Sequence, residues 1–455
     1  MLPNTNKITS ATTESIPNTD SFSKSNHGAT FNLCQTYDLP SLVELSLANN
    51  PYTRAAWFNA VAAKASLGQA KAPYFPTLRF DASGGYSQTP YPTQSGPLKV
   101  NSTSINPGFE LEYLLLDFGR RAADVRRTMA LLEAANLNFN RKMQTTVFAV
   151  QQSYFAHSAA LSQQQATLSN LELSRTVVDM VQAQLQTGLS TQPELLIAKK
   201  NLSQAEFDHA SASRNVEVTL GNLRSAVGVQ ANAPLKVDVP SASFTLESFS
   251  SKVDILVAKA ISNRPDLAAR EAEIKARIAA TQQAKAEFLP KLSLEGNYSS
   301  YSFGFYAKQG PTAGTYYGNY NQAGGFAVLS WDLFDGFERE EKVKKRRAEE
   351  AEARADAEAT RLETSRDVWT SYQDSLKARK QVEYAVSLLS SSNESFESVK
   401  AAFKNGLATI VDLVSSQNTL QSARSEQVAA QADYLTSLAS LSLAMGQFSP
   451  AQSTR

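Results

Sequence analysis

Hydrophobic residues recur with two different spacings along the chain, and each spacing predicts a different backbone element. Residues 41–72 carry apolar positions three and four apart, which predicts a helix that ends before Pro76, since proline cannot continue one. Residues 78–86 and 105–113 instead alternate between apolar and polar side chains, which is typical of strands with one apolar face. A stretch rich in Pro, Gly and Ser separates them and predicts a loop. The pattern therefore indicates a helix followed by a β-hairpin.

A long helix follows the predicted hairpin. Residues 120–185 contain no proline, and about 65 residues at 1.5 Å each make a rod of about 100 Å. Gly188 lies in the turn after it, where glycine accepts a positive φ, and residues 192–227 form a returning helix. Both helices carry residues seven apart, a spacing that favours coiled-coil packing. These positions include Val147, Tyr154, Leu161, Leu168, Leu195, Leu202, His209, Val216 and Leu223.

The same order of elements occurs twice. Asn50 is echoed by Arg264, 214 residues later, and each of the two precedes a proline. Gly188 is echoed by Gly406 at an offset of 218. The change in offset falls within residues 78–115, where the hairpin loop is predicted. Internal repeats of this kind indicate one structural unit used twice.

The fold class expected is mainly α with membrane β, in which a duplicated unit has long antiparallel coiled-coil helices and contributes two β-hairpins. The second copy places helices at 253–287, 338–403 and 410–446 and strands near 292–299 and 321–333. The predicted organisation is a disordered leader (1–37), repeat 1 (38–230, with a hairpin at about 77–115), a linker (231–252), repeat 2 (253–448, with a hairpin at about 291–333) and a tail (449–455).

The strand count bears on assembly. The chain contains no run of about 18 apolar residues, so a membrane-spanning part would be a closed β-barrel, in which every backbone group is paired. One chain offers four strands, fewer than the eight or so of the smallest bacterial barrels. Two chains would give about eight strands with a filled interior, whereas three would give about twelve and leave a lumen. We therefore expect a trimer if the hairpins lie in lipid.

Composition excludes several classes of function. The 44 Lys and Arg residues balance 43 Asp and Glu residues, and the charge-dense stretch 339–366 has no interleaved aromatics, so no nucleic-acid partner is expected. We find no phosphate loop, nucleophile elbow or metal-spaced cluster, so neither an enzyme nor a cofactor is expected. Residues 1–36 lack the basic start and apolar core of a secretory signal peptide, and Cys34 lacks the small residues that precede a lipidated cysteine.

Two interpretations remain open at this point. Alternation alone is equally compatible with an ordinary hairpin packed on a soluble core. A soluble coiled-coil scaffold would explain the heptads and the absence of a signal peptide. It would not explain why an alternating hairpin, with a Tyr- and Gly-rich stretch at 298–320, is inserted at the same point of each repeat.

Several motifs, in duplicated order, resemble the TolC-like outer-membrane efflux and secretion channel family. They are the Asn49–Pro51 opening, the Ala72–Leu78 entry to the first strand, the hairpin exits Leu116–Arg120 and Leu333–Gly336, and the turn Gly406–Leu413. The resemblance covers about residues 38–448.

The resemblance implies a homotrimer with a 12-stranded barrel in the bacterial outer membrane, in contact with its lipid, and a helical tunnel in the periplasm. It implies a passive exit duct for small molecules or proteins, in a tripartite efflux or type I secretion system. The expected partners are a periplasmic adaptor protein and an inner-membrane transporter of the RND or ABC type.

The resemblance also implies site residues. Asp412 matches an acidic residue that lines the family's periplasmic aperture, and Glu194 is its counterpart in repeat 1. Ser415 stands where some members carry a second Asp, and Ala408 stands where some carry an Arg, so the acidic ring is thinner here. The alternative for Asp412 is an acid in the first turn of a helix, favoured by the helix dipole. The tip turns expected to dock the adaptor contain Gly188, Leu189, Thr191, Gly406, Leu407 and Thr409.

Overall fold

The chain is built from long helices and one four-stranded antiparallel sheet. The computed structural model describes residues 36–94, 96–239, 253–309 and 312–447. Cys34, the tail 449–455, most of the expected leader and residues 240–252 of the expected linker lie outside the described residues. The elements of the first half are β1 (Thr36–Tyr37), α1 (Leu39–Asn49), α2 (Pro51–Lys71), β2 (Thr77–Thr93), β3 (Gly96–Leu116), α3 (Arg120–Gln186), α4 (Gln192–Val227) and β4 (Lys236–Val237).

The second half repeats this order. Its elements are α5 (Val253–Asn263), α6 (Pro265–Ala286), β5 (Lys291–Gln309), β6 (Thr312–Ser330), α7 (Glu338–Lys404) and α8 (Ile410–Ala444). The long helices α3 and α7 have 67 residues each and begin and end within one residue of the predicted bounds. No helix among the described residues has an 18-residue stretch apolar enough to cross a lipid bilayer.

Two compact units divide the chain differently from the two repeats. A helical unit comprises Met1–Trp57, Asn138–Pro265 and Arg361–Arg455, and a sheet unit comprises Phe58–Leu137 and Asp266–Thr360. Each unit thus takes segments from both repeats, so neither repeat is a compact body by itself.

The sheet has the strand order β2-β3-β5-β6, and every neighbouring pair is antiparallel. Strands β2, β3 and β5 have 17, 21 and 19 residues, about twice the predicted length. Strand β6 has 19 residues and ends at Ser330, before the predicted end at residue 333. The predicted loops were therefore wrong. The Pro, Gly and Tyr content of residues 87–93 and 300–309 predicted loops. These residues instead continue their strands, because their backbone pairs with the neighbouring strand. Pro90 and Pro92 are tolerated because β2 is an edge strand of this sheet.

The first predicted helix of each repeat is in fact two helices. Asn50 separates α1 from α2, since its extended backbone (ψ 123°) satisfies the restriction that the following proline imposes. Its side-chain amide donates to the carbonyl of Ala226, 2.9 Å away, at the end of α4. Gly228 lies against this junction with a φ of 93°, and a Cβ there would be 2.7 Å from the Cα of Asn50. Only glycine therefore fits at this position.

The second repeat builds the same junction from Arg264 and Gly446. Gly446 has a φ of 69°, and a Cβ there would be 2.9 Å from the Cα of Arg264. The guanidinium of Arg264 pairs with Asp367 of α7 at 3.2 Å. Asn50 and Arg264 thus lie at equivalent backbone junctions, one in each repeat, which are stabilised by different side chains.

An arginine organises the end of each hairpin. In the first, Arg121 pairs with Asp117 at 3.1 Å and donates to the carbonyls of Pro73 at 2.9 Å and Leu114 at 2.6 Å. Its guanidinium also lies 4.7 Å from the ring centre of Tyr74. One side chain therefore ties the entry to β2, the exit from β3 and the start of α3 together, because its planar fork offers five donors.

Arg339 does the same in the second hairpin. It pairs with Asp335, donates to the carbonyl of Glu287 at 3.3 Å, and lies over the ring of Phe288 at 5.2 Å. The aspartates also accept from the backbone N–H groups of Arg121 and Arg339, so each caps the long helix that follows.

The sequence missed a small parallel sheet in the helical unit. Thr36 and Tyr37 of β1, placed in the leader by the sequence, pair with Lys236 and Val237 of β4. Next to it, the hydroxyl of Tyr154 donates to the carbonyl of Asp238 at 2.9 Å, and burial raises the pKa of Tyr154 to about 12. The core beneath comprises Tyr37, Leu42, Leu45, Val150, Tyr154, Leu223, Val227 and Leu235.

We predict that Gly228→Ala destabilises the protein more than Gly188→Ala does. Both glycines have a positive φ, which costs an alanine about 1–2 kcal/mol. Only at Gly228 does the new Cβ also meet backbone, whereas nothing lies within 4 Å of the corresponding position at Gly188. Overpacking of this kind costs about 1–3 kcal/mol more. Denaturant unfolding followed by helical circular dichroism measures both, and equal destabilisation would contradict the close approach.

Candidate functional site at the helix tips

Two tight turns join the long helices to the returning helices, and both have the same hydrogen-bond pattern. In the first, the N–H of Gly188 donates to the carbonyl of Leu185 at 3.1 Å, and that of Leu189 donates to Gln184 at 2.8 Å. This is a Schellman motif, which requires a left-handed residue at the glycine. Gly188 meets that requirement with a φ of 77°.

The second turn matches it 218 residues later. The N–H of Gly406 donates to Phe403 at 3.0 Å, the N–H of Leu407 donates to Ala402 at 2.9 Å, and the φ of Gly406 is 73°. Leu189 and Leu407 occupy equivalent places just after the glycines and are 79% and 82% exposed. The structure thus presents one apolar side chain at each tip.

The acidic residues nominated by sequence are third residues of helices, and each caps its own helix. Asp412 accepts from the backbone N–H of Thr409 at 2.9 Å and from its hydroxyl at 2.7 Å, and the N–H of Asp412 donates back to that hydroxyl at 3.2 Å. Glu194 accepts from the N–H and hydroxyl of Thr191 at 2.6 and 3.0 Å, and from the hydroxyl of Ser190 at 2.8 Å. These are capping boxes, so the early-helix role is present in the geometry.

These hydrogen bonds also set the charge of the two carboxylates. The Thr409 hydroxyl and N–H lower the pKa of Asp412, and the Ser190 hydroxyl with the Thr191 N–H and hydroxyl lowers the pKa of Glu194. Each donor favours the ionised form. Asp412 is exposed and Glu194 is half-buried, so each tip holds a fixed negative charge next to solvent.

One apolar core lies behind both turns. It contains residues from all four long helices, so the tip of repeat 1 packs against the tip of repeat 2 in the helical unit. Its buried members are Val177, Val178, Val181, Leu195, Ala198, Phe396, Phe403, Ile410, Leu413 and Leu420. Among them, Leu195 is a heptad position predicted from sequence. Ser415 stays exposed, and its carbonyl accepts from the hydroxyl of Thr419 at 3.0 Å.

A buried amide cluster, which sequence reasoning missed, lies within the same four-helix packing. Gln417 is 0% exposed, and its amide nitrogen donates to Asn170 at 2.9 Å and to Ser174 at 2.7 Å. Asn201 donates to the carbonyl oxygen of Gln417 at 3.2 Å. The cluster links α8 to both α3 and α4. Its sequence signal is a glutamine four residues after Leu413, where heptad spacing places a core residue.

The histidines of these helices pair with threonines. His157 Nδ1 lies 3.2 Å from the hydroxyl of Thr219, and His209 Nδ1 lies 3.3 Å from that of Thr167. Burial lowers the pKa of His157, which favours its neutral form. No group of three or more His, Cys, Asp or Glu side chains is placed to hold a metal within the described ranges. The tips therefore offer two ionised carboxylates for electrostatic interactions and two exposed leucines for apolar contact.

Comparison with known proteins relates both repeats to one family. A sequence profile described as Outer membrane efflux protein matches residues 42–229 and 256–447. Protein CyaE of Bordetella pertussis is 24% identical over 405 residues, which cover 89% of this chain and 83% of CyaE. Outer membrane protein OprJ of Pseudomonas aeruginosa is 25% identical over 380 residues, 81% of this chain and 76% of OprJ.

A solved structure shares the fold. The crystal structure of a membrane protein from Pseudomonas aeruginosa superposes with a TM-score of 0.77 at 22% identity, and covers 90% of this chain and 93% of that chain. The two segments matched by the profile make up most of the sequence, and each contains one hairpin and one tip turn. The chain belongs to the outer membrane efflux protein family.

Proposed function

We propose that three copies of this chain close a 12-stranded barrel and form an export duct. The observation that carries this proposal is the pair of free edges of the four-stranded sheet, β2 and β6. Lipid offers nothing to satisfy the unpaired N–H and C=O groups along such edges. Pairing β6 of one copy with β2 of the next would satisfy them.

The direction of the strands suits this closure. All three pairings within the sheet are antiparallel, so β2 and β6 run in opposite directions. The contact between copies would then also be antiparallel, and the alternation would continue around the ring. Three copies give twelve strands and an open lumen, whereas two would give about eight, an interior that side chains fill.

As a family member, the chain is an outer-membrane channel protein whose helical tunnel extends into the periplasm. We propose that it acts as a passive exit duct in a tripartite efflux or type I secretion system. Its partners would be a periplasmic adaptor and an inner-membrane transporter of the RND or ABC type. The exposed Leu189 and Leu407 at the tips are suited to burial in the adaptor, together with the turns that Gly188, Thr191, Gly406 and Thr409 define. The duct would bind no cofactor and catalyse no reaction.

Three-fold symmetry would bring three copies of Asp412 and of Glu194 around one axis at the periplasmic mouth. Ionised carboxylates there would attract cations and disfavour anions. The capping role does not compete with this one, because Thr409 contacts a single oxygen of Asp412 and the carboxylate keeps its charge. Ser415 would extend the ring with a hydroxyl in place of a further charge.

We predict that the protein leaves the membrane only with detergent and then sediments as a trimer. Closure of the barrel requires both lipid-facing strands and three copies. Analytical ultracentrifugation with correction for bound detergent gives the copy number. A chain that is soluble without detergent would instead support the alternative, a soluble coiled-coil scaffold, and a dimer would exclude a lumen of twelve strands.

We predict that Asp412→Asn with Glu194→Gln weakens block of the reconstituted channel by a trivalent cation. The amides can still accept from Thr409 and Thr191, so the caps remain while the charges are lost. At about 1 kcal/mol per charge pair in water, the blocking concentration should rise about fivefold or more.

Ser415→Asp is the matched opposite change. It adds a carboxylate one turn after Asp412 and should strengthen the same block. If neither variant changes cation block in planar-bilayer recordings, these residues do not line the aperture.

The lowered pKa values predict the pH range of this block. The carboxyl groups of Asp412 and Glu194 have pKa values below their ordinary ones, so they stay ionised above the usual carboxyl range. Block should therefore be constant from about pH 8 to pH 5 and weaken only at lower pH. The capping stabilisation follows the same direction and is lost as the pH falls. A midpoint above pH 5 would mean that repulsion among the carboxylates of the ring outweighs the capping hydrogen bonds.

A further inference from the structure

The half of the sheet that contains the strand ends connected to the helices has one apolar face and one polar face. Strand registers place the two sets on opposite sides. The apolar face includes Leu78, Phe80, Phe109, Leu111, Leu294, Tyr298, Ala323 and Leu329. The polar face includes Arg79, Asp81, Glu110, Glu112, Lys291, Glu295 and Asn297. In a membrane barrel the apolar face meets lipid and the polar face meets the lumen.

The polar face becomes aromatic halfway along the strands, whereas the apolar face becomes mixed. Beyond Tyr298, the apolar face continues with Ser300, Ser302, Asn319 and Asn321 and then with Tyr306 and Tyr317. The polar face continues with five aromatic rings, namely Tyr301, Phe303, Phe305, Tyr316 and Tyr320. The register does not shift here, since β5 and β6 pair without interruption. The change in the polar face is therefore a property of the sequence and does not come from a bulge that reverses the side chains.

The length of the apolar part of β2 can be compared with the thickness of the hydrocarbon core. The nine residues from Leu78 to Tyr86 contain the apolar face of β2, and β2 has 17 residues. A tilted strand crosses the hydrocarbon core in about 9–11 residues. The apolar band thus has the length of one crossing. Tyr86 is in register with Thr103, and Thr103 with Gly304, so the rings of Phe303 and Phe305 lie at the outer end of this band and the hairpin turns lie beyond it.

The five rings form one cluster. Tyr301 and Tyr320 stack with centres 5.0 Å apart, and Phe305 stacks on Tyr316 at 4.8 Å. Phe303 joins the two pairs, at 6.4 Å from Tyr320 and 6.3 Å from Phe305. Its ring covers Gly318, where a Cβ would meet it at 2.6 Å. Tyr316 and Tyr320 stay more than half exposed, so ring faces remain open to the lumen.

The charges on the same face favour a cation and lie nearer the helices than the rings do. Within the described strands this face has four carboxylates, those of Asp81, Glu110, Glu112 and Glu295, and two bases, Arg79 and Lys291. Arg79 pairs with Glu110 at 3.5 Å, so the remaining charges are three carboxylates and one lysine. Aromatic faces bind cations and stack with planar rings. We propose that the five-ring cluster lines the outer end of the duct and binds planar organic cations as they leave.

This inference rests on the proposed function and is tested on reconstituted channels. Ethidium, a planar aromatic cation, is added on the side of the hairpin turns, and the half-blocking concentration is measured. Phe303→Leu with Phe305→Leu keeps apolar volume but removes two rings, and should raise that concentration about tenfold. Each single variant should raise it about threefold. Block by spermidine, which has no ring to stack, should stay within about twofold of the value for the unsubstituted channel.

Tyr317→Leu is the matched control. Tyr317 covers Gly304 on the opposite face, at the same level as Phe303 over Gly318. It should leave ethidium block unchanged. Equal weakening in both variants, or none in the Phe303 and Phe305 variants, would overturn the proposal. Weakening in Tyr317→Leu alone would also overturn it and move the site to a groove of about 590 Å³, which Tyr86, Tyr306 and Tyr317 line together with Phe303 and Phe305.

The two proposals can fail separately. An unsubstituted protein that produces no conductance steps would contradict the export duct itself. Normal conductance steps, with an ethidium half-blocking concentration that the ring substitutions do not change, would contradict only the exit site. If the double variant does not insert, the two single variants decide the question.

Discussion

The backbone of a sheet edge cannot remain unpaired in lipid, and this constraint governs the rest of the structure. Each chain ends its sheet with β2 on one side and β6 on the other, so a single chain would be incomplete if this sheet lies in lipid, as we propose. Duplication supplies two hairpins per chain but still leaves two edges. Closure by identical copies then requires that both edges be compatible, which the antiparallel order β2-β3-β5-β6 provides.

The duplication preserves backbone joints more strictly than side chains. Asn50 against Gly228 and Arg264 against Gly446 form the same close approach, although an amide has become a guanidinium. The hairpin exits are stricter, because Arg121 with Asp117 and Arg339 with Asp335 make the same ion pair and cap. Where a junction requires only that a glycine lie against the backbone, the side chains around it can differ between the repeats. A junction that holds an aspartate and a backbone carbonyl together has the arginine fork in both repeats.

The sequence predicted the long helices closely and the strands poorly, for physical reasons. Heptads and tip glycines mark helix ends by local chemistry, so α3 and α7 were bounded within one residue. The outer strand halves depend on cross-strand pairs such as Tyr301 with Tyr320, which no single strand reveals. The pairing of β1 with β4 joins residues far apart in the chain. At the tips the turns were predictable, but the bonds of Gln417 to Asn170 required the packed helices.

The tips combine two kinds of polar interaction that act at different ranges. The capping boxes of Glu194 and Asp412 are local, so each carboxylate keeps its charge and position as long as its own turn is folded. The cluster around Gln417 is long-range and joins α8 to α3 and α4. If the tips form the mouth of the proposed duct, a widening that separates the two helical hairpins would expose these buried amides and leave the caps intact. The charge at the mouth would then be independent of opening, and the amide cluster behind it would resist opening.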